Sequence, residues 1–87
     1  MHTSQRFDKP VTLTHHAIDQ MAERQIDEAL LYDLIESGGI KWKDEEHLWI
    51  YKNYPDRQDN MVCAAAIERN HLIIKTVMIN WELQDED

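Results

Sequence analysis

One cysteine, two glycines and two prolines are spread over 87 residues. The lone Cys63 excludes an internal disulfide and suits a reducing compartment. With Gly38 and Gly39 as the only glycines, a glycine-rich phosphate loop and a nucleophile elbow are excluded. No apolar run approaches the roughly 20 residues that cross a bilayer. The polar Met1–Lys9 start has no apolar signal segment, so a cytoplasmic location and no membrane contact are expected. Five histidines are many for this length, but they form no HxxxH or HxH pair, and Cys63 has no CxxC partner. Neither a metal site nor a cofactor is expected.

Positive charge is scarce as well: nine Lys and Arg stand against seventeen Asp and Glu, a net −8. Phosphate neutralisation supplies most non-specific nucleic-acid binding, so this balance weighs against a broad nucleic-acid surface. The distribution is uneven. Residues 1–46 hold ten acids and five bases, residues 47–81 three acids and four bases, and residues 82–87 four acids. The segment with strand character is therefore not acidic. A basic protein partner, or an acidic tail covering a site, fits the charge as well as a free RNA-binding surface does. Hydrophobic content of 43% beside 30% charged residues fits one small globular domain.

Residues 1–10 read as a flexible lead-in ended by Pro10, residues 11–81 as a single α+β domain and residues 82–87 as an acidic tail. Two helices share one local grammar. Thr14 caps the first, with Leu13 stapled to Ile18; Asp27 caps the second, with Ile26 stapled to Leu31. Gly38-Gly39 stand where a left-handed helix end is wanted. The period then becomes strand-like over Ile40–Lys43, His47–Tyr54, Met61–Ile67 and Leu72–Trp81, with polar turns between. The small run Ala64-Ala65-Ala66 leaves room for a bulky element, for which the second helix is the candidate. The expected architecture is two N-terminal helices packed on one face of a three- to four-stranded antiparallel sheet, with the other face open.

His16 falls in the first turn of its helix, where a neutral imidazole beside free backbone N–H groups suits proton transfer and phosphate binding. Without further context, a packed or solvated histidine is the commoner outcome. Arg24 offers a guanidinium to a phosphate, or simply caps a helix end. Eight residues of helix separate the two by about 12 Å and roughly 80° of rotation, which favours neighbouring phosphates over one. In an unbroken strand Lys75 and Thr76 point to opposite faces. Lys43, Tyr51, His71 and His47 are further polar groups for an open face. Trp42, Trp49 and Trp81 seal core edges or stack on a base.

The run Thr14-His15-His16-Ala17, then Met21, then Arg24-Gln25-Ile26 resembles the N-terminal signature of the domain-of-unknown-function 4258 family. Ile73-Ile74-Lys75-Thr76-Val77 is similar to its closing strand. Gln20 and Gln25 depart from the pattern, standing where basic or glycine residues are common. The resemblance implies the fold shared by barnase, EndoU, colicin and RelE-type RNases, and with it metal-independent RNA cleavage of the bacterial toxin type. It implies catalytic roles for His16 as general base or acid, Arg24 on phosphate and Thr76 on the scissile phosphate. Lys75, His71, Lys43 and Tyr51 would then bind substrate. The implied partners are RNA and a regulatory protein, an antitoxin or a cognate toxin. A non-catalytic antitoxin- or immunity-like module that keeps the fold is the competing reading, and oligomeric state is not legible.

Overall fold

The computed structural model describes residues 3–55 and 61–79. In chain order it contains strands β1 (Thr3–Ser4) and β2 (Lys9–Leu13), helices α1 (His15–Glu23) and α2 (Glu28–Ser37), and strands β3 (Gly39–Trp42), β4 (His47–Asn53), β5 (Met61–Glu68) and β6 (Leu72–Ile79). The mixed α and β content agrees with the sequence; the sheet does not. Instead of three or four antiparallel strands there are six, ordered β1-β2-β6-β5-β4-β3, and β2 runs parallel to β6. The parallel pair joins Val11–Leu13 to Leu72–Ile74. It connects opposite ends of the domain, so no local pattern announces it.

Of the two extra strands, β1 lies within the 1–10 stretch read as a lead-in, and β2 starts there and runs on to Leu13. What orders them is a carboxylate on α2. Glu36 accepts the Ser4 hydroxyl at 2.8 Å and the backbone N–H groups of Gln5 and Arg6 at 2.7 and 3.2 Å. The Arg6 guanidinium donates to the carbonyls of Ile35 and Gly38 at 3.1 and 2.6 Å, neutralising the C-terminal end of α2. Ser4 is fully buried, and Asp8 adopts φ 56° between the two strands.

Both predicted N-caps form. Thr14 Oγ1 accepts the Ala17 N–H at 3.1 Å and Asp27 Oδ1 the Leu30 N–H at 2.8 Å. Ile26 and Leu31 are both buried, consistent with the second staple, whereas Ile18, expected to pack on Leu13, is 48% exposed. The left-handed helix end lies at Gln25 (φ 55°) instead of at the glycines. There the Ile26 N–H reaches the Met21 carbonyl at 2.9 Å and the Gln25 N–H reaches Ala22 at 3.4 Å, closing α1 in a Schellman motif over two buried side chains. Gly38 is extended, at φ −72° and ψ 165°. It is needed for space: a Cβ there would lie 2.6 Å from the Leu34 carbonyl oxygen and 2.8 Å from that of Tyr51.

The core lies between the helices and one sheet face. Ala17, Met21, Ile26, Leu31, Leu34 and Ile35 join Leu48, Ile50, Val62, Ala64, Ala66, Leu72, Ile74 and Val77 in a single cluster. Ala64 and Ala66 belong to this interior, while Ala65 faces the other way. Among the described residues no helix is long and apolar enough to cross a membrane. Trp81 and the acidic tail lie outside the described residues.

Candidate functional site

On β4 and β5, Leu48, Ile50, Ala64 and Ala66 point to the core, so Trp49 and Ala65 point to the opposite face. Ala65 pairs with Trp49 on one side and Thr76 on the other. The alternation then breaks. Ala65 pairs with Thr76 but Ala66 with Ile74, leaving Lys75 as the extra residue of a β-bulge. Ile74 and Val77 are both fully buried on either side of it. The bulge therefore turns Lys75 and Thr76 to the same outer side, correcting the expectation of opposite faces, which assumed an unbroken strand.

The same segment of β6 is where α1 takes over from β2 as its neighbour. β2 ends at Leu13, and past Ile74 the edge of β6 is met by helix side chains instead of a strand. Thr14 donates its N–H to the Ile74 carbonyl at 3.2 Å, and its hydroxyl faces the carbonyls of Ile74 and Lys75 at 3.2 and 3.0 Å. One turn and a half later Gln20 Oε1 accepts the Thr76 hydroxyl and, at 2.9 Å, the Val77 N–H. His16 and Gln20 are four apart and share a helix face. The N-cap therefore pins His16 beside the bulge.

These elements surround a cavity of about 230 Å³ lined by His16 from α1, Lys75 and Thr76 from β6, Ala65 and Ala66 from β5, Leu48 and Trp49 from β4, and His47 and Lys43 at the β3–β4 end. The small Ala65 side chain between Trp49 and Thr76 leaves the space. Among the described residues none that lines the cavity is a carboxylate, although the chain carries −8 overall. Two lysines and two imidazoles line a partly apolar hollow, a composition that suits an anion better than a cation. His47 is held by Asp44, whose Oδ1 lies 2.9 Å from His47 Nδ1 and also accepts the backbone N–H groups of Glu46 and His47 at 2.8 Å each. Those two backbone donors, and then the imidazole, bring the Asp44 carboxyl down to about 2. It is ionised at neutral pH.

A family model for a domain of unknown function (DUF4258) matches residues 13–79. The chain belongs to that family. No curated protein and no solved structure matches it. The DUF4258 match takes in every residue that lines the cavity, whereas β1 and most of β2 precede it.

Of the residues marked out by the sequence, His16, Lys75, Thr76, Lys43 and His47 meet in this cavity. Arg24 does not line it. It is the C-cap residue of α1, with its guanidinium 3.9 Å from Glu23. Tyr51 lies under Gly39, where a Cβ would come within 2.7 Å of its ring. His71 lines a separate, shallower depression with Thr12, Arg69, Asn70 and Ile73, its Nδ1 2.9 Å from the Thr12 hydroxyl. Among the described residues no group of three or more His, Cys, Asp or Glu is placed to hold a metal ion.

Two participants, Gln20 and Asp44, escape the sequence as site residues, and Trp49 is read only in part. Gln20 stands out there only as a departure from the family pattern; its spacing of four from His16 is the available signal. Trp49 reads equally as core sealing or base stacking, and alternation with Leu48 and Ile50 puts it on the open face. Asp44 reads as turn material, and only its position three before His47 hints at a pair.

Proposed function

We propose that this protein is a metal-independent endoribonuclease acting on single-stranded RNA in the cavity between α1 and the open sheet face. The meeting of His16 with Lys43, Lys75, Thr76 and Trp49, with no carboxylate among the described lining residues, carries this reading. The fold that the DUF4258 resemblance implies, that of barnase, EndoU, colicin and RelE-type RNases, supports the same chemistry by analogy of fold. His16 takes the proton of a ribose 2′-hydroxyl. The 2′-oxygen bonds to the adjacent phosphorus, the bond to the 5′-oxygen breaks, and a 2′,3′-cyclic phosphate and a 5′-hydroxyl remain. Lys43 and Lys75 balance the charge gathering on the phosphoryl oxygens. Trp49 offers a stacking face to a base.

Thr76 takes a part different from the one that the resemblance implies. Its proton is committed to Gln20. The oxygen is left as an acceptor, which fits a ribose hydroxyl and not a phosphate oxygen. The acidity of the rest of the chain fits control by a basic protein partner, as in a toxin-type system.

The test is incubation of the purified protein with single-stranded RNA, and with DNA of the same sequence, in excess chelator. RNA is cut to cyclic-phosphate ends, DNA is untouched, and His16→Ala slows cleavage by about 10²–10⁴-fold. Intact RNA, or cleavage unchanged in His16→Ala, contradicts the proposal and leaves the non-catalytic interaction module.

A further inference from the structure

Transfer to a 2′-oxygen needs two proton movements, one off the nucleophile and one onto the leaving 5′-oxygen, whose alkoxide is a poor leaving group. His16 supplies a single imidazole. A second lines the same cavity from the opposite side of the sheet face: His47, at the first position of β4. Its setting differs from that of a surface histidine. Asp44 lies against Nδ1, at 2.9 Å through Oδ1 and 3.0 Å through Oδ2. The same carboxylate is locked by the N–H groups of Glu46 and His47 at 2.8 Å each, and the Lys43 N–H closes the turn on the His47 carbonyl at 2.8 Å. The ring is thereby fixed in tautomer and direction: Nδ1 carries a proton toward Asp44, and Nε2 is the nitrogen left for a ligand. An imidazolium here sits in a charge-assisted bond to an ionised carboxylate, while its side chain stays 39% exposed and reachable.

We propose that His47 is the general acid of the reaction and Asp44 its positioning residue. The inference rests on reading the cavity as a ribonuclease site. As the 2′-oxygen bonds to phosphorus and gives its proton to His16, the phosphorus–O5′ bond breaks and the 5′-oxygen takes the Nε2 proton of His47. Solvent then returns both imidazoles to their starting states. Among the described residues the lining holds no serine or cysteine for that second transfer; beside the imidazoles these residues offer lysines, a hydroxyl whose proton is engaged and an indole.

A leaving group that needs no proton separates this role from a structural one. His47→Gln is compared with wild type on an RNA dinucleotide and on uridine 3′-(4-nitrophenyl phosphate), whose nitrophenolate departs unprotonated. The expected loss is about 100-fold or more on the dinucleotide and no more than about threefold on the nitrophenyl ester, whereas His16→Ala loses activity on both. Asp44→Asn keeps an acceptor for the turn and shows the same selective loss in smaller degree. Equal losses of His47→Gln on the two substrates, or no loss on either, overturn the assignment while leaving a ribonuclease. A wild type that cleaves neither substrate overturns the ribonuclease reading and this inference together.

Discussion

The amide oxygen of Gln20 accepts the Thr76 hydroxyl, and the Val77 N–H at 2.9 Å fixes which end of that amide faces β6. A flipped amide would set its NH₂ against the Val77 N–H, donor against donor. One helix side chain thus stands in for the strand that ends at Leu13, satisfies an edge of the sheet and orients the hydroxyl in the cavity wall.

Gln20→Leu is expected to leave the Val77 N–H unpaired and to cost about 1–3 kcal/mol of stability. Gln20→Glu, which keeps an acceptor in place, costs less. Urea denaturation of the two variants beside wild type checks the order.

Glu36→Ala is expected to free the N-terminal hairpin. It removes the acceptor of the Ser4 hydroxyl and of two backbone N–H groups. The loss should be about 1.5–3 kcal/mol, as for hydrogen bonds to a charged group. Native-state hydrogen exchange should show amides of residues 3–13 exchanging far faster while those of β5 stay protected.

Gly38→Ala is expected to destabilise by about 1–3 kcal/mol, the usual cost of overpacking. The added methyl meets two backbone carbonyl oxygens that cannot both move away, Leu34 at 2.6 Å and Tyr51 at 2.8 Å. The thermal midpoint falls by several degrees.

Asp44 supplies a pH signature. Its carboxyl is lowered from 3.8 to about 2, chiefly by the backbone donors of Glu46 and His47. A lowered carboxylate contributes stability that is present above the unfolded value and lost as pH falls through the folded one. The β3–β4 turn should therefore hold to below pH 3.8 and loosen toward pH 2. A side-chain carboxyl NMR titration of Asp44 reads the midpoint directly. His47→Gln should leave it low, because the backbone bonds remain.

The helices were legible because their signals are local: Thr14 and Asp27 each cap a backbone N–H only three residues ahead. The bounds of β4, β5 and β6 were close for the same reason, since alternation runs along one segment. The hairpin of residues 3–13 was not legible, because a polar stretch with Pro10 becomes strand only through Glu36 and through parallel pairing with Leu72–Ile74. The bulge was hidden too, though one trace existed: buried Ile74 and Val77 are three apart, which an unbroken strand does not allow on one face. His16 could be singled out from its cap, whereas its meeting with Lys43 and His47 depends on contacts between distant segments.

The most direct test of the central claim is an NMR titration with a single-stranded oligonucleotide that lacks the reactive 2′-hydroxyl. The account expects shifts concentrated at His16, His47, Lys43, Lys75, Thr76 and the Trp49 indole. Affinity should fall with salt with a log–log slope of about −1.4, as for two phosphates neutralised on a single strand. No shifts at these residues, or shifts confined to the His71 depression, would contradict it.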